Sequence, residues 1–381
     1  MTSPLTFTLV AGILDRACQE YARSLRVPEA QVREMSAWTP YLLGSFHGRV
    51  YHNLLHWYRI AGIGPGYPLS RRGLGASAPA GPLADDIAEP LRPFTFDSRL
   101  RGAPARTRIA VVYLRRLFGI EAVVRDFRAG FDRFRDRYEA MDYLHGEHAY
   151  AMFRRAERDL SRQWGAVMVL DAILMSLTGA VVASAGTSPR GMSWSFPAAP
   201  PAPLVAGSGD PAGAPAEFAL RDEDPGAPDR AGARELPVFE AALAPGAEDA
   251  GGPGVLRRWL SGRIRARARR CAAYREELRS CRLRAYRILG RMIRVMGEDL
   301  AARRIIEAPG DIYQLTVAEL CACYDRVPMP DLRTRISERR ADRAVDLGLI
   351  APARFTTVGA TFSDTALAAA GWVPRTGHPE T

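Results

Sequence analysis

Lysine is absent from this 381-residue sequence, and asparagine occurs only once, at Asn53. The net charge of +10 therefore depends on 52 arginines set against 42 acidic residues. Without lysine the chain cannot supply a P-loop lysine, a Schiff-base lysine or a lysine clamp on nucleotide phosphates. Any anionic partner, whether nucleic acid, a membrane surface or a phosphorylated small molecule, would have to be held by arginine.

Cysteine is also scarce. The five cysteines are an odd number in a long chain, which is unlike the disulfide framework of a small secreted protein. The apolar N-terminal stretch has no preceding positive residue and soon reaches Asp15, so it does not match a signal peptide. These features predict a cytoplasmic protein.

Apolar residues recur at steps of three and four through most of the chain, and no convincing alternation suggests a sheet. We predict an all-α fold, an irregular multi-helix bundle interrupted by a long disordered linker. Residues 1–185 would form the first part of the bundle, and 255–350 an arginine-rich helical part that packs on it. The linker at 186–254 has 12 prolines and 11 glycines among 69 residues, and 351–381 is predicted to be a poorly structured tail.

Within these parts the sequence predicts individual helices and one connector. Helices are expected at 5–24, after Pro28, at 47–61, from Ile120 to Met141, at 255–305 and within 311–320, with a Gly/Pro/Ala-rich connector at 62–104.

The most distinctive segment is F-H-G-R-V-Y-H-N-L-L-H-W-Y-R at 46–59. If it is helical, its apolar side chains share one side, and its polar side chains share the other. One interpretation is a solvated face; the alternative is the polar wall of a binding cleft, because the face has no glutamate. The polar side chains are Arg49, His52, Asn53, His56 and Arg59.

Residues 166–185 form a nearly apolar run of 20 residues, long enough to cross a bilayer. A helix buried in a bundle would have the same composition. Asp171 interrupts the run, and an ionisable group there is costly unless it is paired or faces a cavity. Asp171 is therefore a candidate site residue under either interpretation.

Two further clusters have weaker implications. His52 and His56 are four residues apart, and His145, Glu147 and His148 form a second group, but no H-E-x-x-H motif is present and we predict no metal site. Sixteen arginines between Arg257 and Arg304, against four acids, could follow a phosphate backbone or could form the solvated side of a helix. Arginine can also hold the oxygens of a small phosphorylated molecule.

Two stretches resemble the beginning and end of the central helical region of phosphoenolpyruvate synthase-like enzymes, which include the rifampicin phosphotransferase-like dikinases. The first is P-Y-L-L-G-S-F-H-G-R-V-Y-H-N-L-L-H-W-Y-R-I-A-G-I-G-P-G-Y at 40–67, and the second spans 273–320, from A-Y-R-E-E-L-R-S-C-R to T-V-A-E-L. R-R-A-E-R-D-L-S-R-Q-W-G-A-V-M-V-L-D at 154–171 fits between them in order. The resemblance implies that the run around Asp171 is a buried bundle helix.

In that family an ATP-grasp domain precedes this region and a swivelling phosphohistidine domain follows it. The implied reaction uses ATP and water, phosphorylates a mobile histidine and passes the phosphoryl group to an acceptor held by the helical region. This chain has no room for an ATP-grasp domain before residue 40, and His378 lacks the Gly-rich motif of the mobile domain. We therefore expect both domains on other chains, with ATP and Mg²⁺ bound there and no cofactor bound here.

The sequence thus predicts a stand-alone acceptor-binding domain that contributes to phosphoryl transfer only with ATP-grasp and phosphohistidine partners. A non-catalytic helical scaffold or small-molecule binder is the alternative, and a basic nucleic-acid-binding protein is third. The expected partners include a small-molecule acceptor, but neither nucleic acid nor a membrane. The predicted substrate-binding residues are Arg49, Asn53, His56, Arg59, Asp171, Arg275 and Arg279.

Overall fold

The computed structural model describes residues 2–77, 99–143, 145–185, 255–329, 331–350 and 373–374. In these ranges the fold is all-α, as predicted, and the strands form two antiparallel two-stranded sheets. The predicted linker at 186–254 and nearly all of the predicted tail at 351–381 lie outside the described residues.

The elements follow one another in a simple order along the chain. The helices are α1 (Pro4–Ser24), α2 (Glu29–Met35), α3 (Leu54–Ala61), α4 (Tyr67–Ser77), α5 (Arg99–Phe118), α6 (Ile120–Tyr138), α7 (Gly146–Ala185), α8 (Val255–Ala302), α9 (Val317–Tyr324) and α10 (Leu332–Leu347). The strands are β1 (Leu43–Phe46), β2 (Arg49–His52), β3 (Leu349–Ile350) and β4 (Val373–Pro374), and 3₁₀ turns occur at Thr39–Tyr41 and Pro309–Gln314.

Local sequence signals account directly for α1. Ser3 caps its N-terminus by accepting a hydrogen bond from the Thr6 amide at 3.2 Å. Pro4 occupies the first helical turn, where its missing N–H leaves no intrahelical bond unmade. The buried side chains of α1 then recur every three or four residues to its end. The helix predicted at 5–24 is confirmed and begins one residue earlier.

Helix α7 is the element around which the bundle is arranged. It packs against α1, α4, α6 and α8. Part of it is long and apolar enough to cross a membrane by length and composition, and 78% of that apolar window is buried inside the fold. Most of its apolar surface is therefore covered by other helices of the same chain.

Helix α8 is 48 residues long and runs antiparallel to α7. Arg275 of α8 lies beside Asp171 of α7, whereas Asp299, further along α8, lies beside Gly146 at the start of α7. The predicted helix at 255–305 is confirmed, although it ends three residues early at Ala302. These two long helices supply the interior of the fold with residues from the two sequence parts on either side of the predicted linker.

The single helix predicted at 47–61 is wrong in its first half. Strands β1 and β2 form an antiparallel hairpin in which Phe46 is opposite Arg49. His47 and Gly48 make the two-residue turn with φ values of 47° and 63°. Positive φ at both positions is the conformation of a type I′ turn, which matches the twist of the two strands. Helix α3 begins only after this hairpin.

The connector predicted at 62–104 is also partly wrong, because α4 forms within it and α5 begins before its end. Helix α4 contains two glycines and has little intrinsic tendency to be helical. It is supported instead by a close crossing with α7. A Cβ atom added at Gly73 would overlap the backbone of Met175, and one added at Gly179 would overlap the carbonyl oxygen of Leu69.

We predict that Gly179→Ala destabilises the protein by about 2 kcal/mol or more, because the added methyl group would force apart the backbones of α4 and α7. Urea unfolding measures the change. Gly262→Ala is the matched control, since a Cβ at Gly262 meets open space. Alanine there should leave stability unchanged or raise it by about 0.5 kcal/mol. Equal stability of the two variants would contradict the close crossing.

Candidate functional site

Asp171 and Arg275, two of the predicted site residues, lie together inside the bundle. Asp171 is on α7 with its side chain 4% exposed, and Arg275 is on α8 with its side chain 17% exposed. The Arg275 Nε atom is 3.4 Å from the Asp171 Oδ1 atom. Helices α7 and α8 therefore bring an acidic and a basic side chain together in a largely apolar interior.

The carboxylate of Asp171 is buried without a well-formed hydrogen bond. Both of its oxygens are inaccessible to solvent, and neither accepts a hydrogen bond from a residue that the structure describes. The contact with Arg275 exceeds the usual 2.7–3.2 Å range for N–H···O bonds and is chiefly electrostatic. Burial raises the pKa of Asp171 to about 7, even though the positive charges of Arg275 and Arg282 act in the opposite direction.

Three arginines share the inner face of α8 near this acid. Arg275, Arg279 and Arg282 are spaced four and three residues apart, which places them on one face. Arg282 is only 5% exposed and acts electrostatically on Asp171. Arg279, also a predicted site residue, bonds to Glu276 at 2.9 Å. Arg282 is absent from the predicted set, although its spacing from Arg275 could have identified it.

Helix α1 borders the same region with polar groups of its own. Cys18 is fully buried, and burial raises the pKa of its thiol well above the usual value. The negative charges of Asp15 and Asp171 raise that pKa further, so Cys18 stays a neutral thiol. Further along the α1–α7 contact, Arg16 donates from Nε to the Ser161 hydroxyl at 3.1 Å.

The predicted residues on α3 form a separate group. Asn53 is the N-cap of α3, and its Oδ1 atom accepts a hydrogen bond from the His56 amide at 3.3 Å. The His56 ring lies 5.6 Å from the Trp38 ring, and the guanidinium of Arg59 lies 5.8 Å from the same indole. Burial, followed by the charge of Arg59, lowers the pKa of His56 to about 4, so the imidazole is neutral at pH 7.

Arg49 belongs to the hairpin and joins it to β3, which directly follows α10. Its Nη2 atom donates to the carbonyl oxygen of Leu349 at 2.6 Å, and the neighbouring His47 pairs with Asp346. The contacts described for Asn53, His56 and Arg59 are within α3 and to Leu42 and Trp38; the Asn53 amide donates to the Leu42 carbonyl oxygen at 2.9 Å. The structure therefore brings together Asp171 and Arg275 but not the whole predicted set.

The described residues contain no group of three or more histidine, cysteine or acidic side chains placed to hold a metal ion. His52 and His56 do not share one helical face, because His52 is in β2 and His56 is in α3. In the second group, the His145 Nδ1 atom accepts a hydrogen bond from the His148 amide at 3.2 Å.

No family model, curated protein or solved structure matches this chain. The resemblance carried by 40–67, 154–171 and 273–320 consequently stays a prediction.

We predict that Asn53→Ala lowers the free energy of unfolding by about 1 kcal/mol, because α3 loses the side chain that caps its N-terminus. Urea unfolding measures the loss, and amide exchange in α3 locates it. Asn53→Asp is the control, since aspartate caps a helix equally well. If Asn53→Ala were as stable as Asn53→Asp, the cap would contribute nothing.

We predict that Asp171→Asn changes how stability depends on pH. The folded-state pKa of about 7 exceeds the ordinary value of 3.8, so between these values the folded protein binds this proton more tightly than the unfolded chain. The resulting stabilisation is complete below the lower pKa and is lost as pH rises through the upper one. Wild type should lose about 2 kcal/mol more than the variant between about pH 5 and about pH 7.

Urea unfolding across that pH range tests this prediction. Asp126→Asn, at an acid whose side chain is 74% exposed, controls for the loss of one negative charge. Parallel stability curves for wild type and Asp171→Asn would show that Asp171 does not titrate in this window.

Proposed function

We propose that this chain is an acceptor-binding helical domain that works with separate ATP-grasp and phosphohistidine proteins, as in phosphoenolpyruvate synthase-like systems. The observation that carries the binding part is the carboxylate of Asp171. It is buried, it accepts no hydrogen bond from a described residue, and it lies beside Arg275 in the interior. The phosphoryl-transfer part depends on the sequence resemblance.

The chemistry of the pair suits a small anionic acceptor. Arginine presents parallel N–H donors that match the oxygens of a carboxylate or a phosphate. The positive charges of Arg275 and Arg282 both act on Asp171. A carboxyl group with a pKa near 7 can take up or release a proton at neutral pH, as a general acid or base requires. If the acceptor molecule places a hydroxyl group near Asp171, the carboxylate can take the proton of that hydroxyl. Arginine then holds the anionic group of the same molecule.

The position of the pair also supports the proposal. Asp171 is the last residue of the stretch 154–171, and Arg275 is near the start of 273–320. The stretch 273–320 is one of the two that carry the resemblance, 154–171 fits between those two in order, and the antiparallel packing of α7 and α8 brings Asp171 and Arg275 into contact. In the proposed reaction ATP, water and the acceptor yield AMP, phosphate and the phosphorylated acceptor. The phosphoryl group reaches the acceptor from the histidine of the partner protein.

A non-catalytic small-molecule binder is the second candidate, and the same pair favours it. A buried ion pair contributes little net stability compared with apolar residues of similar volume, so ligand binding gives a reason for its presence. Such a protein would bind an anionic molecule and would transfer no phosphoryl group. Thermal stabilisation by pyruvate, phosphoenolpyruvate or inorganic phosphate, without AMP formation, would identify it.

We predict that this chain forms AMP and a phosphorylated product when mixed with ATP, Mg²⁺, a candidate acceptor and the ATP-grasp and phosphohistidine proteins encoded by neighbouring genes. Asp171→Asn should slow product formation about a hundredfold, because the proton acceptor is lost. Chromatography of AMP and phosphorus NMR of the product provide the measurements.

Arg275→Gln should weaken acceptor binding, which raises the acceptor concentration needed for half-maximal rate. The matched control is Arg287→Gln, at an exposed arginine of the same helix. Acceptor-dependent AMP formation that is insensitive to both Asp171→Asn and Arg275→Gln would place the acceptor elsewhere. Failure to form AMP with every such partner would reject the phosphoryl-transfer function.

A further inference from the structure

Helix α5 has apolar side chains on two opposite faces. Ile109 and Tyr113 are buried in the core, at 5% and 4% exposure. Val111, Leu114 and Phe118 are exposed by 51%, 47% and 77%. Their spacing of three and four residues places them on one face, directly across the helix from the buried pair. We refer to Val111, Leu114 and Phe118 as the exposed stripe.

The helix that carries the exposed stripe is strongly basic. It contains six arginines and no acidic residue. Arg108 and Arg115 are exposed, and helical geometry places both beside the stripe. Glu121, which follows α5, is paired with Arg267 and Arg270 of α8. Positive charge therefore borders this apolar surface on α5, and the acid that follows it is already paired.

The start of α8 extends the same surface. Arg267 donates hydrogen bonds to the carbonyl oxygens of Leu117 at 2.6 Å and Phe118 at 3.0 Å. Trp259 and Arg263 precede Arg267 by eight and four residues, so they lie on the same face of α8, within about 12 Å along its axis. Trp259 is 55% exposed, and the Arg263 guanidinium lies 4.7 Å from its ring centre.

The beginning of α8 is as strongly basic as α5. From Val255 to Arg275 this helix has eight arginines and no acidic residue. The surface thus combines a protruding apolar stripe, an exposed tryptophan and an unbroken excess of arginine. Nucleic acid would be attracted by the arginines, but the aliphatic side chains of Val111 and Leu114 offer nothing to a phosphate backbone.

We infer that the exposed stripe, together with Trp259 and the surrounding arginines, binds the surface of an anionic lipid bilayer. The apolar side chains enter the boundary between headgroups and acyl chains, where tryptophan is also favoured. The arginines interact with anionic headgroups. The sequence predicts no membrane partner, because the resemblance makes the apolar run around Asp171 a buried bundle helix. Because Ile109 and Tyr113 fill the core side of α5, the exposed stripe lies on the side of the helix that faces solvent.

We predict that the full chain sediments with vesicles of equal parts phosphatidylserine and phosphatidylcholine, but not with vesicles of phosphatidylcholine alone. The double variant Leu114→Gln/Phe118→Gln should bind the anionic vesicles about tenfold more weakly or worse, because it loses the apolar contact. Arg115→Gln should weaken binding about fivefold, and added salt should weaken it further.

The double variant Val327→Gln/Val345→Gln is the matched control, because these valines, which lie just after α9 and within α10, are exposed by 54% and 69%. It should bind like wild type. Circular dichroism and thermal unfolding establish that each variant is folded, which is expected because the altered side chains are exposed.

Three results would overturn the inference. Wild type could remain in the supernatant with anionic vesicles at low salt. The variant Leu114→Gln/Phe118→Gln could bind those vesicles as tightly as wild type. The chain could instead bind an oligonucleotide or a second copy of itself through this surface, with no vesicle binding. Sedimentation velocity of wild type and the stripe variant detects self-association.

Discussion

The fold depends on burying the apolar half of α7, which no single neighbouring helix can cover. Helices α1, α4, α6 and α8 surround it, and close approach is possible where α7 carries glycine. Gly165 meets the backbone of α1 at Glu20 and Tyr21, and Gly179 meets the backbone of α4. A side chain at either position would hold the helices apart and open voids along the apolar surface. The glycines of α7 therefore determine which helices can pack against it.

The same burial gives Asp171 its chemistry. A carboxylate in solvent is ionised at neutral pH, whereas the apolar surroundings of Asp171 disfavour its charge and raise its pKa to about 7. Arg275 and Arg282 offset part of that penalty without supplying well-formed hydrogen bonds. An apolar residue of similar volume would serve stability as well or better. Stability therefore does not explain why an acid occupies this buried position, whereas the proposed binding role would.

Periodicity predicted the long helices well because each is long enough for a stripe to repeat several times. The periodicity predicts α1, α6 and α8, and the apolar neighbours of Asp171 distinguish it as a candidate site residue. The hairpin at 43–52 was missed because it is only two short strands, and its turn uses His47 with Gly48 rather than a common turn pair. The partnership of Asp171 with Arg275 could not be predicted, since it depends on the antiparallel arrangement of α7 and α8. Asn53 is distinctive in the sequence for its rarity, but its capping role depends on where α3 begins.

The arginines of α8 lie in two different surroundings: some are buried near Asp171, and others are near the surface beside Trp259 and the end of α5. On the inner face of α8, Arg275 and Arg282 lie near Asp171, and their positive charges offset part of the cost of burying its carboxylate. Nearer the start of the same helix, Arg263 lies over an exposed indole, and Arg267 bonds to the end of α5. The number of arginines along α8 suggests one uniform basic surface that would bind a polyanion along the whole helix. The division of α8 into a buried part beside Asp171 and an exposed part beside Trp259 follows from the apolar residues that share each face.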